Sequence, residues 1–86
     1  MIRRGPLSDL LTVDGESVAL MGSRVFRLGP VAGAILEMLG DGPLPRDSIE
    51  ARLVALFGAP PDQDTTEAVA AQLRELAGHG LITIDA

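Results

Sequence analysis

A lone histidine, His79, and the absence of cysteine restrict the chemistry open to this 86-residue chain. Without thiols there is no disulfide framework, no thiolate zinc site and no cysteine nucleophile. A single imidazole supplies no metal-binding pair. Nor does its spacing make it a base for the hydroxyls of Ser8, Thr12, Ser17, Ser23, Ser48, Thr65, Thr66 or Thr83. His79 lies between Gly78 and Gly80 at the end of a helical pattern, where a cation complements the helix dipole, so it reads as a capping or solvent-facing residue. Gly29-Pro30-Val31-Ala32-Gly33 has the glycines of a phosphate cradle without the rest of its pattern, and reads as a strand end followed by a helix start. These residues imply no catalytic group, no metal and no cofactor, and a protein that is not an enzyme.

Charge turns attention to binding. Twelve acids outweigh seven Arg, with no Lys, for a net charge of −5; neutralising phosphates requires the opposite balance. Up to Gly29, Arg3, Arg4, Arg24 and Arg27 face Asp9, Asp14 and Glu16, whereas beyond it three Arg stand against nine acids. A slightly basic first third would steer an acidic segment toward itself. Apolar residues make up 47% of the chain and are mostly aliphatic, enough for one small core and a single domain over residues 1–86. No apolar run approaches the roughly 18 residues of a membrane span, and Met1-Ile2-Arg3-Arg4-Gly5-Pro6 leads into no signal-peptide core. The expected setting is cytoplasmic.

The elements that must position any site change character near Gly29. Before it, Leu10–Val13 and Ser17–Leu20 flank Asp14-Gly15, a dipeptide suited to a hairpin turn. Met21-Gly22-Ser23 turns the chain again into Arg24–Leu28, with Arg24, Phe26 and Leu28 on one face and Val25 and Arg27 on the other. After it the pattern is helical. A first helix opens at Pro30 with the stripe Val31, Ala34, Ile35, Met38 and Leu39. A second begins near Pro45 or Asp47, with Asp47 and Glu50 at capping-box spacing and the stripe Ile49, Leu53, Leu56 and Phe57. A third opens with Asp64 and Glu67 at the same spacing, carries Val69, Leu73 and Leu76, and ends at Gly78-His79-Gly80; Leu81–Ile84 is an extended tail. The expectation is an α+β fold, an N-terminal three-stranded antiparallel β-meander followed by three α-helices, winged-helix-like in architecture.

In a meander the third strand, Arg24–Leu28, has no obvious partner on its far edge, and an unpaired edge invites an added strand. Arg24 and Arg27 either protect that edge or fix the register of an incoming acidic peptide. The third helix runs beside it. There Ala68, Ala71, Gln72 and Glu75 flank the apolar stripe, either to let the helix pack closely or to leave a groove.

The stretch from Val25-Phe26-Arg27-Leu28-Gly29-Pro30 through Ala34-Ile35-Leu36-Glu37-Met38-Leu39-Gly40-Asp41-Gly42, with Ser48–Leu53, Phe57-Gly58 and Val69–Ile82, resembles the PqqD-like family over residues 10–84. These are the small recognition elements, or peptide chaperones, of ribosomally made, modified peptide pathways. The resemblance implies a domain that binds the leader region of a precursor peptide as a further strand, with leader side chains entering a cleft between the third strand and the third helix. By position the binding residues are Arg24, Val25, Phe26, Arg27 and Leu28 on the strand, and Val69, Gln72, Leu73 and Leu76 on the helix. It implies no chemistry of its own, and delivery of the leader to a leader peptidase or a radical-SAM or other maturation enzyme; a free-standing member of this length is similar to those of lasso-peptide pathways. Gly29 stands where many members have Asn, and Leu36 where an aromatic is frequent. An exposed edge also permits self-pairing, so a monomer or a weak dimer is expected.

Two rival readings follow from the same residues. A DNA-binding winged-helix regulator would insert Asp64–Ala77, a helix with Arg74 against Asp64, Glu67 and Glu75, and that charge opposes groove entry. An acyl or peptidyl carrier would be modified at Ser48, since Asp47-Ser48-Ile49 resembles the Asp-Ser-Leu attachment motif. Against it, the first thirty residues read as strands where a carrier has a helix, and Asp and Ser are common in a helix's first turn.

Overall fold

Asp14 and Gly15 both take positive φ, 51° and 79°, the backbone shape of the tight turn whose twist matches paired strands. Gly22, at φ 63°, opens the next turn in the same way. Between and around them, the computed structural model, which describes residues 1–85, places β2 (Asp9–Val13), β3 (Glu16–Met21) and β4 (Arg24–Leu28) as an antiparallel sheet in the order β2-β3-β4. The helices follow as α1 (Pro30–Met38), α2 (Arg46–Phe57) and α3 (Thr65–Gly78). This is the expected α+β order of a meander and then three helices.

The extended tail expected over Leu81–Ile84 is a strand, and what the periodicity did not show is its partner at the other end of the chain. β1 (Ile2–Arg4) pairs antiparallel with β5 (Ile82–Ile84) as a separate two-stranded ribbon, and Ile2 also bridges to Leu44. Three residues are too few for a period-two signal. What stabilises the ribbon is burial of Ile2 and Ile82 against the core, together with backbone pairing to a partner some eighty positions away.

Helix boundaries follow their local chemistry. Gly29 is the N-cap of α1 with Pro30 at its first position, where the missing N–H costs nothing. A 3₁₀ turn, Leu39–Asp41, then tightens its exit. Asp64 caps α3, its Oδ1 accepting the backbone N–H of Thr66 at 2.9 Å and of Glu67 at 3.3 Å. The expected capping box at Asp47 and Glu50 does not form. Pro45 takes the N-cap of α2, because the bridge from Leu44 to Ile2 brings the helix start forward, and Glu50 instead accepts the Thr66 hydroxyl at 3.0 Å. Ile49 and Leu53 are buried as read. Leu56 and Phe57, expected on the same stripe, are 64% and 49% exposed, because α2 ends at Gly58 beyond the reach of the core.

The core lies between sheet and helices, with Ile35 and Leu36 of α1, Ile49 of α2, Leu73 of α3 and Leu81 fully enclosed. α1 sits close on β3 at one point: a Cβ at Gly33 would fall onto the Oγ of buried Ser17 and 2.8 Å from its Cβ. Overpacking of this kind costs about 1–3 kcal/mol. Gly33→Ala should therefore lower the denaturant midpoint by a corresponding amount, and adding Ser17→Gly should recover part of it. Equal midpoints for wild type and Gly33→Ala would refute the close approach.

Candidate functional site

The phase of the hydrogen-bond ladder decides what β4 offers at its edge. A two-residue hairpin loop is closed by a hydrogen-bonded pair, after which bonded and non-bonded pairs alternate. Gly22 and Ser23 form such a loop between the paired Met21 and Arg24. Arg24, Phe26 and Leu28 therefore turn their backbone polar groups toward β3, and Val25 and Arg27 turn theirs outward. Counting from the Asp14-Gly15 loop directs Glu16, Val18 and Leu20 to β2, so the two counts agree along β3. Among the described residues no strand pairs with the outward side of β4.

The sheet has a second edge along β2, which the sequence reading passed over. By the same count Leu10 faces outward there, but its N–H is taken by the neighbouring Asp9 carboxylate at 2.8 Å. No side chain among the described residues blunts β4 in that way.

Beside the open edge runs a groove of about 370 Å³. Its strand side is Phe26, Arg27 and Leu28; its end is Pro30, Val31 and Ala32 at the start of α1; its helix side is Gln72, Glu75, Leu76 and His79. Gln72, Glu75 and Leu76 lie three and four positions apart and so share a face of α3, which His79 continues at the C-cap. Two polar groups meet the Phe26 ring. The Arg24 guanidinium carbon lies 4.7 Å from the ring centroid, and the His79 imidazole is 5.4 Å away, tilted by 55°. At an exposed site the cation–π contact contributes about 0.5–1 kcal/mol. Arg27 reaches Glu16 at 3.6 Å, with 81% of its own side chain exposed. Such a pair is weak in water and leaves the guanidinium open to a competing acid.

Of the residues singled out from sequence, Arg24, Val25, Phe26, Arg27 and Leu28 form the edge strand, and Gln72 and Leu76 line the groove. Val69 lines a neighbouring hollow between α2 and α3. Leu73 is wholly buried and lines neither. Gly29, Pro30, Val31, Ala32 and His79 complete the groove without a binding role expected of them, and so does Glu75, expected beside the α3 stripe but not among the binding residues. Glu75 and His79 carried a signal, their spacing of three and seven from Gln72; the tilted contact of His79 with Phe26 had none, since 53 positions separate them.

No cluster of three or more His, Asp or Glu among the described residues is placed to hold a metal ion, and no described helix is long and apolar enough to cross a membrane. A family model described as Coenzyme PQQ synthesis protein D (PqqD) matches residues 11–82, which takes in β3, β4, the three helices and the whole groove. The chain belongs to the PqqD family. Comparison with curated proteins and with solved structures finds no match. Membership of the PqqD family supports a peptide-binding accessory role in the biosynthesis of ribosomally made, modified peptides, and it accords with a chain that does no catalysis itself.

Proposed function

We propose that this PqqD-family chain, acting as one domain, binds the leader region of a precursor peptide as an added strand on β4 and presents it to a maturation enzyme. The enzyme served is a leader peptidase of the lasso-peptide type or a radical-SAM maturase. The observation that carries this reading is the open edge of β4, where Val25 and Arg27 direct backbone N–H and C=O groups outward beside the groove walled by α3. Main-chain bonds on that edge give affinity, and alternate leader side chains entering the groove give specificity. The exposed flank of α3 sets Glu67 and Glu75 beside Arg74, which favours a peptide over a nucleic acid.

The test is a titration of ¹⁵N-labelled protein with the short peptide encoded beside its gene. Saturable amide shifts centred on Val25, Arg27 and Gln72–His79 are expected; an unchanged spectrum at high peptide concentration would overturn the proposal. In the same assay Arg27→Glu should weaken binding by about three- to tenfold at low salt, with the difference shrinking as ionic strength rises. A mutant as tight as wild type at every salt concentration would remove the role of charge and leave the strand pairing standing.

A further inference from the structure

The groove beside β4 does not stop at its apparent end. Val31 and Gln72 line it there, and the same two residues also line a hollow of about 490 Å³ between the end of α2, the loop after it and the first half of α3. Leu53, Val54, Phe57, Pro60 and Val69 form its walls, and no ionisable side chain lines it. Two of these walls are left open to water: Val54 is 38% exposed and Phe57, one of two aromatics in the chain, is 49% exposed. By contrast, four ionisable side chains, Asp62, Asp64, Glu67 and Arg74, line the neighbouring depression at the start of α3.

The geometry points to this hollow as an anchor site for a large apolar side chain of the same leader peptide, just beyond the segment that pairs with β4, on its Leu28 side. The inference rests on the proposed strand addition. β4 runs toward Gly29 and α3 runs the other way, since Phe26 meets His79 while Val31 shares both cavities with Gln72. A peptide lying along β4 is therefore carried past Leu28 toward the first half of α3. From Gln72 back to Val69 and Ala68 is about one helical turn, ~5.4 Å, which an extended peptide covers in about two residues. A hollow without ionisable lining and walled mainly by apolar side chains has room for a large apolar side chain, and the walls it shares with the groove put it next to a leader lying there.

Random peptides long enough to span both cavities, displayed as a library and selected on the wild-type chain, provide a probe that does not depend on the leader's own sequence. Selected peptides are expected to shift the Val25 and Arg27 amides and to share a large apolar residue at a fixed position about two residues outside the pairing segment. Replacing that residue with Ala, or Val54 with Asp, should each weaken binding about tenfold, and the two losses should not add. Phe57→Ser, at a half-exposed position, repeats the test should Val54→Asp fail to fold. Peptides that shift Val25 and Arg27 yet show no apolar preference, and bind both variants as tightly as wild type, would overturn the anchor while leaving strand addition intact. A selection that returns no peptide acting on β4 would overturn both.

Discussion

Val25→Pro protein should fold and melt close to wild type, yet bind leader peptide at least about tenfold more weakly. The expectation comes from the ladder phase. Val25 gives no hydrogen bond to β3, so proline there removes no bond inside the sheet, and an edge position tolerates the ring. What it removes is one of the outward N–H groups that an added strand would use. A backbone hydrogen bond contributes about 0.5–1.5 kcal/mol net, and the ring also obstructs the approaching carbonyl, so the loss should exceed that of one bond. Phe26→Pro is the contrasting case. Its N–H faces β3, and its loss should damage the fold itself. Thermal melts by circular dichroism and calorimetric titration separate the two variants. A folded Val25→Pro with wild-type affinity would rule out pairing at that edge.

Leu73→Ala should be strongly destabilising, and should act on folding alone. Leu73 is fully enclosed, and truncating a buried leucine costs about 2–5 kcal/mol. A chain of this length has a total stability of roughly 4–13 kcal/mol, so the variant should unfold at a markedly lower urea concentration with little change in slope. Where it remains folded, its affinity for leader peptide should match wild type, because Leu73 reaches neither cavity. Gln72→Ala, one residue earlier, should show the reverse: a stability within about 0.5 kcal/mol of wild type and weaker binding. Loss of affinity in Leu73→Ala without loss of stability would mean that its side chain meets the peptide.

The difference between those neighbours shows where sequence reading succeeds and where it runs out. Apolar periodicity along α3 located the helix and its buried stripe, but the same stripe signals core and pocket alike. Only the position of β4 relative to α3 separates Leu76, which borders the groove, from Leu73, which does not. The Asp14-Gly15 hairpin, the β4 segment, the Gly29-Pro30 helix start and the Asp64 cap were legible because each rests on interactions within a few residues. The pairing of β1 with β5, the diversion of Glu50 to Thr66 and the tilted contact of His79 with Phe26 were not, because each joins residues far apart in the chain with no local pattern to announce them. Phe57 misled for a related reason: its spacing fits a core stripe, and only the point at which α2 leaves the core exposes it.

The β1–β5 ribbon also bears on how the chain could be rearranged. It sets Met1 and Asp85 side by side, with Asp85 N–H donating to the Met1 carbonyl at 2.9 Å and Arg3 paired to the Asp85 carboxylate at 2.7 Å, and none of these residues lines the groove or the adjoining hollow. A short linker could therefore join them and new ends be opened in an exposed loop, giving a circular permutant that keeps the same architecture. By the same geometry, the whole unit could be spliced into a loop of a larger enzyme, both crossings falling at one place on its surface, with the peptide groove left free.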